Sequence, residues 1–118
     1  MAKVLFINPR VREEDVPRHV PYGIALLASI AMEKGHSVQI YDENAWRNSD
    51  AIMKQVLRAD DWDVIGLGGI TTGYGSIKKI VKLARSICPK SKIVLGGGVL
   101  TSIPKEIMFW LNEVDIGV

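Results

Sequence analysis

Three segments of the chain carry residue types that could hold a polar or phosphate-bearing ligand. Asn8-Pro9-Arg10 follows one apolar run, Gly68-Gly69-Ile70-Thr71-Thr72-Gly73-Tyr74-Gly75 follows a second, and Gly96-Gly97-Gly98-Val99 with Thr101 follows a third. Glycine permits positive φ and lets a ligand approach the main chain closely. The hydroxyls of Thr71, Thr72 and Thr101 add hydrogen-bonding groups. A helical pattern leaves the second segment, and the first amides of a helix have no partner within it, so they can face an anion or other polar ligand. One glycine-rich loop is equally well explained by tight packing between a strand and a helix. Two such loops beside a long first loop favour a ligand pocket.

The elements around these segments must bring them together. Lys3 to Asn8 is a short continuous apolar run, suited to a strand buried on both faces, and Pro9 ends it. Arg10 to Pro21 is polar, contains Pro17 and Pro21, and reads as a loop long enough to be functional. From Tyr22, the residues Ile24, Leu27, Ala28, Ala31 and Met32 recur at helical spacing and are expected to face inward, with Gly35 as the stop. Ser37 to Asp42 alternates apolar and polar residues, as in a half-exposed edge strand. Asn48-Ser49-Asp50 signals a helix to about Ala59, with Ile52, Met53, Val56 and Leu57 facing inward. Asp63 to Leu67 is a third strand. Ser76 is the expected cap of a helix that carries Ile77, Ile80, Val81, Ala84 and Ile87 and ends before Pro89. Lys92 to Leu95 is a fourth strand, Ser102 is expected to cap a last helix through Ile107, Trp110 and Leu111, and Asp115 to Val118 begins a fifth strand.

Strands alternating with helices predict an α/β domain with a parallel sheet and right-handed crossovers. An edge-like second strand beside buried first, third and fourth strands fits the order 2-1-3-4-5, in which ligands bind at the carboxyl ends of the strands beside the switch point. The three segments meet there. In that order a helix after strand five shares a sheet face with the first helix, and the sequence stops before it. Residues 1–118 are therefore read as one domain of a longer protein, with half of one face open to a further segment, a partner or a second copy.

Composition removes several classes of function. Of the residues, 47% are hydrophobic and 24% charged, a balance that supports a core and excludes disorder. A formal charge of +2 without a basic block gives no case for nucleic acid. The longest apolar stretch, Gly23 to Met32, falls well short of the roughly 20 residues of a membrane span. The N-terminus has no secretory pattern. A single cysteine, Cys88, excludes an internal disulfide, a multi-cysteine zinc site and an iron–sulfur cluster held within the chain. The expected setting is reducing and cytoplasmic. Trp46, Trp62 and Trp110 are read as core or interface residues, and the helix face of Lys78, Lys79, Lys82 and Arg85 as solvated.

Specific ligand fingerprints are missing too. A dinucleotide fold needs its glycines after the first strand, where Asn8-Pro9-Arg10 stands, and Asp42 without them is more simply a strand-end cap. There is no glycine loop ending in Lys-Ser/Thr for a triphosphate. A phospho-receiver wants a carboxylate where Gly68-Gly69 stand, and a flavin bound after strand one wants a Ser/Thr-rich loop. His36 is a helix-end residue, His19 lies in the first loop, and Cys88 is expected to be a buried, inert thiol. No catalytic set and no metal-ligand set emerges.

The order of the pieces resembles the cobalamin-binding domain of radical S-adenosylmethionine enzymes. The resemblance is carried by Val4 to Pro9, Pro21-Tyr22-Gly23-Ile24 with Leu27-Ala28, and Gly35-His36-Ser37-Val38-Gln39-Ile40-Tyr41-Asp42. It continues through Asp63 to Leu67 with the Gly68 to Tyr74 loop, Pro89, Ile93-Val94-Leu95-Gly96-Gly97, and Asp115 to Val118. It implies a three-layer, flavodoxin-like domain that binds cobalamin at the carboxyl edge, with the nucleotide tail in a slot and the corrin over the edge. The implied cofactor-binding residues are Asn8, Pro9, Arg10, Gly68, Gly69, Ile70, Thr71, Thr72, Gly96, Gly97, Gly98, Val99 and Thr101. Side chains at Gly66, Gly68, Gly69, Gly96 or Gly97 would fill such a slot, so Gly97→Leu is expected to block corrin uptake with little effect on folding.

The sequence departs from related patterns at two places. The methionine-synthase type carries Asp-x-His-x-x-Gly after the first strand, whereas Asp15, His19 and Gly23 have the wrong spacing, so no histidine ligand to cobalt is expected. Gly98-Val99-Leu100 replaces the Gly-Gly-Pro-His of many relatives. S-adenosylmethionine, the 4Fe-4S cluster and its Cys-x-x-x-Cys-x-x-Cys motif are expected only in a separate catalytic barrel, the implied partner. The full enzyme would perform methyl transfer or related radical chemistry. Two alternatives are a vestigial docking domain, its slot plugged by Tyr74 or Leu100, and a binder of another small molecule or nucleotide.

Overall fold

The computed structural model of the chain describes residues 1–11 and 20–118. Asp15, Pro17 and His19, and with them most of the expected first loop, lie outside the described residues. The elements run β1 (Lys3–Asn8), α1 (Tyr22–Glu33), β2 (Ser37–Asp42), α2 (Glu43–Trp46), α3 (Asp50–Arg58), β3 (Val64–Gly68), α4 (Tyr74–Ile87), β4 (Lys92–Gly96), α5 (Gly98–Ser102), α6 (Pro104–Trp110) and β5 (Ile116–Gly117). The five strands are parallel and lie in the order β2-β1-β3-β4-β5, as the alternation of elements predicts.

Register assigns the two faces of the sheet. Phe6 is level with Ile40 and Gly66, Gly66 with Val94, and Gly68 with Gly96, so these residues share one face. Leu5, Ile7, Ile65, Leu67, Ile93 and Leu95 point the other way, and all are 5% exposed or less. Onto that second face pack Met53 and Leu57 of α3, the stripe Ile77, Ile80, Val81 and Ala84 of α4, and Leu100, Ile107 and Leu111 beyond β4. Each buried Leu, Ile, Val or Met among them contributes about 1.5–3 kcal/mol by leaving water, so this face holds the main core.

The opposite face carries α1 alone among the described helices, over β1 and β2. Ala28 is buried and Ile24, Ala25 and Ala31 are partly so, whereas Leu26, Leu27, Ile30 and Met32 are 46–62% exposed. Leu27 and Met32 therefore do not face inward as their spacing predicted. The helix is apolar around most of its circumference, and the sheet meets only the line of small residues that allows close approach. The helix ends as expected: Gly35 at φ 87° and the bonds from Gly35 N–H to Met32 O (3.0 Å) and His36 N–H to Ala31 O (3.1 Å) form a Schellman closure.

Two helix starts differ from expectation. The helix α4 begins at Tyr74, directly after a 3-10 turn at Thr71–Gly73, so Ser76 does not cap it. Ser102 ends α5, where its hydroxyl donates to Gly98 O at 2.9 Å, and α6 starts instead with Pro104. The turns α2 and α5 have no periodic signal, being too short to show one. Trp62 is buried, but Trp46 and Trp110 lie at the surface, edge-on to Tyr41 and Tyr74. Among the described residues no helix is long and apolar enough to cross a membrane.

Besides its backbone bonds to β4, the short strand β5 is braced by the side chain of Arg85. Arg85 donates to the carbonyls of Pro89, Ser91 and Glu113 and to Asp115 Oδ2 at 2.6 Å, while Asp115 also accepts from Ile93 N–H at 2.8 Å. That backbone bond, then Arg85, holds the Asp115 carboxyl below its usual range against some desolvation. Its contribution is therefore present above the ordinary carboxylate pKa and is lost as pH falls through the lowered folded value. Arg85→Ala is expected to cost about 2 kcal/mol in urea unfolding, and Asp115→Asn to flatten the acid limb of the stability–pH curve.

Candidate functional site

The carboxyl ends of β1, β3 and β4 bring together the three segments singled out by their chemistry. The loops after β3 and β4 are in backbone contact. Val99 N–H donates to Gly69 O at 2.8 Å, and Leu100 and Thr101 N–H both reach Gly97 O at 3.1 Å. The glycines make this approach possible. A Cβ on Gly68 would lie 2.8 Å from Gly96 O, and one on Gly97, whose φ is +86°, would lie 2.9 Å from Gly69 N. A Cβ on Gly66 would meet the Phe6 ring at 2.9 Å, and one on Gly73 would meet Arg10 O at 2.9 Å.

At the end of β4 two glycines have no such packing reason. A Cβ on Gly96 would meet nothing nearer than Val118 O at 3.7 Å, and one on Gly98 nothing nearer than Ile70 Cγ2 at 3.7 Å. Gly96 is half-buried and Gly98 exposed. Together they form a shelf at the end of β4 with few side chains near it, those of Ile70 and Val118 being the nearest, and the exposed Thr71 and Thr72 follow Ile70 in the chain. A Cβ at either position would make only ordinary van der Waals contact, so packing within the chain does not by itself demand glycine there.

The remaining expected site residues separate into two groups. Thr101 is exposed, with its hydroxyl turned back to Gly97 O at 3.1 Å, and Val99 is 1% exposed, its side chain in the core. Asn8 donates to Asp42 Oδ1 at 3.0 Å, which also caps Ala45 N–H at 3.1 Å, so Asp42 is the cap that its position suggested. Arg10 turns away from the shelf. Its Nε donates to Glu43 Oε1 at 2.7 Å and its Nη2 to Asn48 O at 3.2 Å. Pro9 is buried between these two.

Sequence reasoning missed Glu43, Asn44 and Asn48, which follow the edge strand without any motif. Glu43 and Asn44 are 7% and 2% exposed, and Glu43 Oε2 is buried without a hydrogen-bond partner among the described residues. Beside them Asn48 donates to the Tyr41 hydroxyl at 3.3 Å. Burial raises the Tyr41 phenol pKa, the Asn48 bond lowers it, and the charge of Glu43 raises it again, with a net rise that keeps the hydroxyl protonated. A cavity of about 130 Å³ opens next to this cluster, lined by Arg10, Glu43, Asp50, Ser76 and Lys79.

The expected non-ligands are also located. His36 Nδ1 accepts from Ala2 N–H at 2.9 Å, at the amino end of the sheet and far from the shelf. Cys88 is partly buried, bonded to Leu57 O at 3.3 Å, and desolvation raises its pKa, so it is a poor nucleophile. Among the described residues no group of three or more His, Cys, Asp or Glu side chains is placed to hold a metal ion. Tyr74 and Leu100 pack toward the core on the α4 face, with Leu100 against Gly117, and so lie opposite the shelf face.

A parallel sheet of this order, with helices on its faces, defines a flavodoxin-like fold. The family model described as the B12 binding domain matches residues 11–118, and the chain belongs to that family. A protein of Pyrococcus horikoshii described as an uncharacterized methyltransferase is 27% identical over 113 residues, covering 92% of this chain and 24% of that protein. The chain thus spans about a quarter of the length of this curated relative. A response regulator protein from Burkholderia pseudomallei shares the fold, with a TM-score of 0.65 and 17% identity over 99% of this chain and 58% of that one.

The geometry corrects the expectation for Gly97. With its positive φ and a neighbouring amide at 2.9 Å, Gly97→Leu would damage the loop packing itself and is no test of a slot. Gly97→Ala and Gly68→Ala should each lower the melting temperature, whereas Gly75→Ala, with nothing within 4 Å of the new methyl, should leave it unchanged or raise it. Thermal unfolding followed by circular dichroism checks all three.

Proposed function

We propose that this chain binds cobalamin at the carboxyl edge of its sheet, as the cofactor module of a longer radical S-adenosylmethionine enzyme. The observation that carries the reading is the match of residues 11–118 to the B12 binding domain family, with two glycines at the end of β4, Gly96 and Gly98, that packing within the chain does not demand. Gly96, Gly98 and the edges of Ile70, Thr71 and Thr72 would hold the cofactor, with the hydroxyls of the two exposed threonines bonding its polar groups. Bound there, cobalamin would supply a cobalt centre for methyl transfer or related radical chemistry in the full-length protein.

The chain's own residues would bind and orient, not turn over. The radical branch is supported by the sequence resemblance that runs from Val4 to Val118, and methyl transfer by the description of the Pyrococcus relative. In this reading S-adenosylmethionine and a 4Fe-4S cluster belong to a catalytic barrel outside the chain. The exposed Leu26, Leu27 and Met32 of α1 and Ile116 of β5 offer that barrel a docking face, or a second copy an interface. A cytoplasmic setting suits this chemistry.

A second reading, a docking domain without corrin, is favoured by the packing reasons found for Gly66, Gly68, Gly73 and Gly97. Spectral titration with hydroxocobalamin separates the two. Corrin absorbance should stay with the protein through gel filtration, and Gly96→Val should remove it while preserving the thermal transition. An unaltered protein that retains no corrin would leave the docking reading standing.

A further inference from the structure

The cavity of about 130 Å³ beside Glu43 has no part in the proposed binding shelf. It opens between the first turns of α3 and α4. Gly75, Ser76, Lys79, Ile80 and Leu83 line it at i, i+1, i+4, i+5 and i+8, one face of α4, and Asp50 and Met53 of α3 complete the walls. Met53 and Ile80 are buried and give the cavity an apolar floor. Lys79 Nζ meets Asp50 Oδ1 at 2.6 Å with both side chains exposed, so this pair marks the mouth.

Two observations point to a ligand. The Glu43 side chain is 9% exposed and accepts from Arg10 Nε at 2.7 Å through Oε1, but its Oε2 is buried with no hydrogen-bond partner among the described residues. Buried polar atoms are nearly always paired, so this one calls for a donor. The second observation is on α4, where a Cβ on Gly75 would meet nothing within 4 Å, so the lining face begins with a bare position. The room exceeds by far the ~10–15 Å³ that a single water needs.

The walls select the chemistry of that ligand. Arg10 pairs with Glu43 and Lys79 with Asp50, so a further net charge of either sign would go unmatched. Ser76 Oγ accepts from Arg10 N–H at 3.2 Å, and its own proton has no acceptor among the described residues. An uncharged group that donates to Glu43 Oε2, accepts from the Ser76 hydroxyl and turns an apolar part to Met53 and Ile80 answers all of these features. We infer that the cavity is a binding site for a primary carboxamide on a short apolar stem. Two sources present that group: a free small molecule, or an amide on the rim of the corrin ring, the second resting on the cobalamin reading above.

Titrations of the isotope-labelled chain, read from its amide chemical shifts, test the site. Isobutyramide should shift the Gly75, Ser76 and Lys79 amides saturably, whereas isobutyrate and isobutylammonium, one of each charge, should not. Glu43→Gln should weaken isobutyramide roughly tenfold, because a hydrogen bond to a charged group is lost. Where that variant disturbs Arg10 and the fold, Gly75→Leu carries the test. It places a helix-favouring side chain on the lining face, should keep the thermal transition, and should abolish the shifts. Hydroxocobalamin that moves the same three amides, and no longer does so in Gly75→Leu, identifies the corrin rim as the source. Hydroxocobalamin that moves only the Gly96 and Gly98 amides assigns the cavity to the free amide. The site is overturned by equal shifts from the charged analogues, by shifts that persist in Gly75→Leu, or by no shift of the three amides with either isobutyramide or hydroxocobalamin. Each of these leaves the cobalamin reading to its own titration. A chain that takes isobutyramide but retains no corrin overturns that reading and keeps the site.

Discussion

The loops after β3 and β4 approach each other backbone to backbone, and the geometry of the whole carboxyl edge depends on that contact. Gly69 accepts from Val99, Gly97 takes a positive φ, and Gly68 leaves no room for a Cβ against Gly96 O. Any side chain at these points would push the two loops apart and shift α5, whose Val99 and Leu100 reach into the core. The same closeness leaves the end of β4 without side chains. Packing thus accounts for Gly66, Gly68, Gly73 and Gly97, whereas Gly75, Gly96 and Gly98 stand outside that requirement.

The sheet is unequally covered, and this asymmetry organises the rest of the molecule. One face carries α3, α4, α5 and α6 and nearly all of the fully buried side chains. The other carries α1 alone among the described helices, which presents alanines to the sheet and several large apolar residues to solvent. Apolar surface of this kind gains free energy when covered, at about 25 cal/mol per Å². The face with the shelf is therefore also the face with the greatest drive to acquire a partner, so cofactor binding and domain association would occupy neighbouring ground.

Much of the fold was legible because burial imposes periodicity. The stripe Ile77, Ile80, Val81, Ala84 could only be one side of a helix against a core, and the continuous runs in β1, β3 and β4 could only be inner strands. The family, too, could be read from the order of short motifs. Less legible were α2 and α5, each shorter than the two turns over which a period can be recognised, and the caps at Ser76 and Ser102, whose hydroxyls found other partners. The inward direction assigned to Leu27 and Met32 failed because α1 is apolar on more sides than the sheet can cover.

For the candidate site the division is sharper. Residue types alone placed glycines and threonines at strand ends, since a backbone that must bend or admit a ligand restricts which residues it can use. They could not say which glycine yields space to a neighbouring loop and which to open solvent. That depends on distances between segments nearly thirty residues apart, such as Gly68 and Gly96, which only the folded sheet defines. Nor could they pair Arg10 with Glu43, because a buried ion pair between separate elements leaves no spacing in the chain. Local preference is written in sequence, whereas the partner of each polar group is settled by the tertiary packing that brings it near and excludes water.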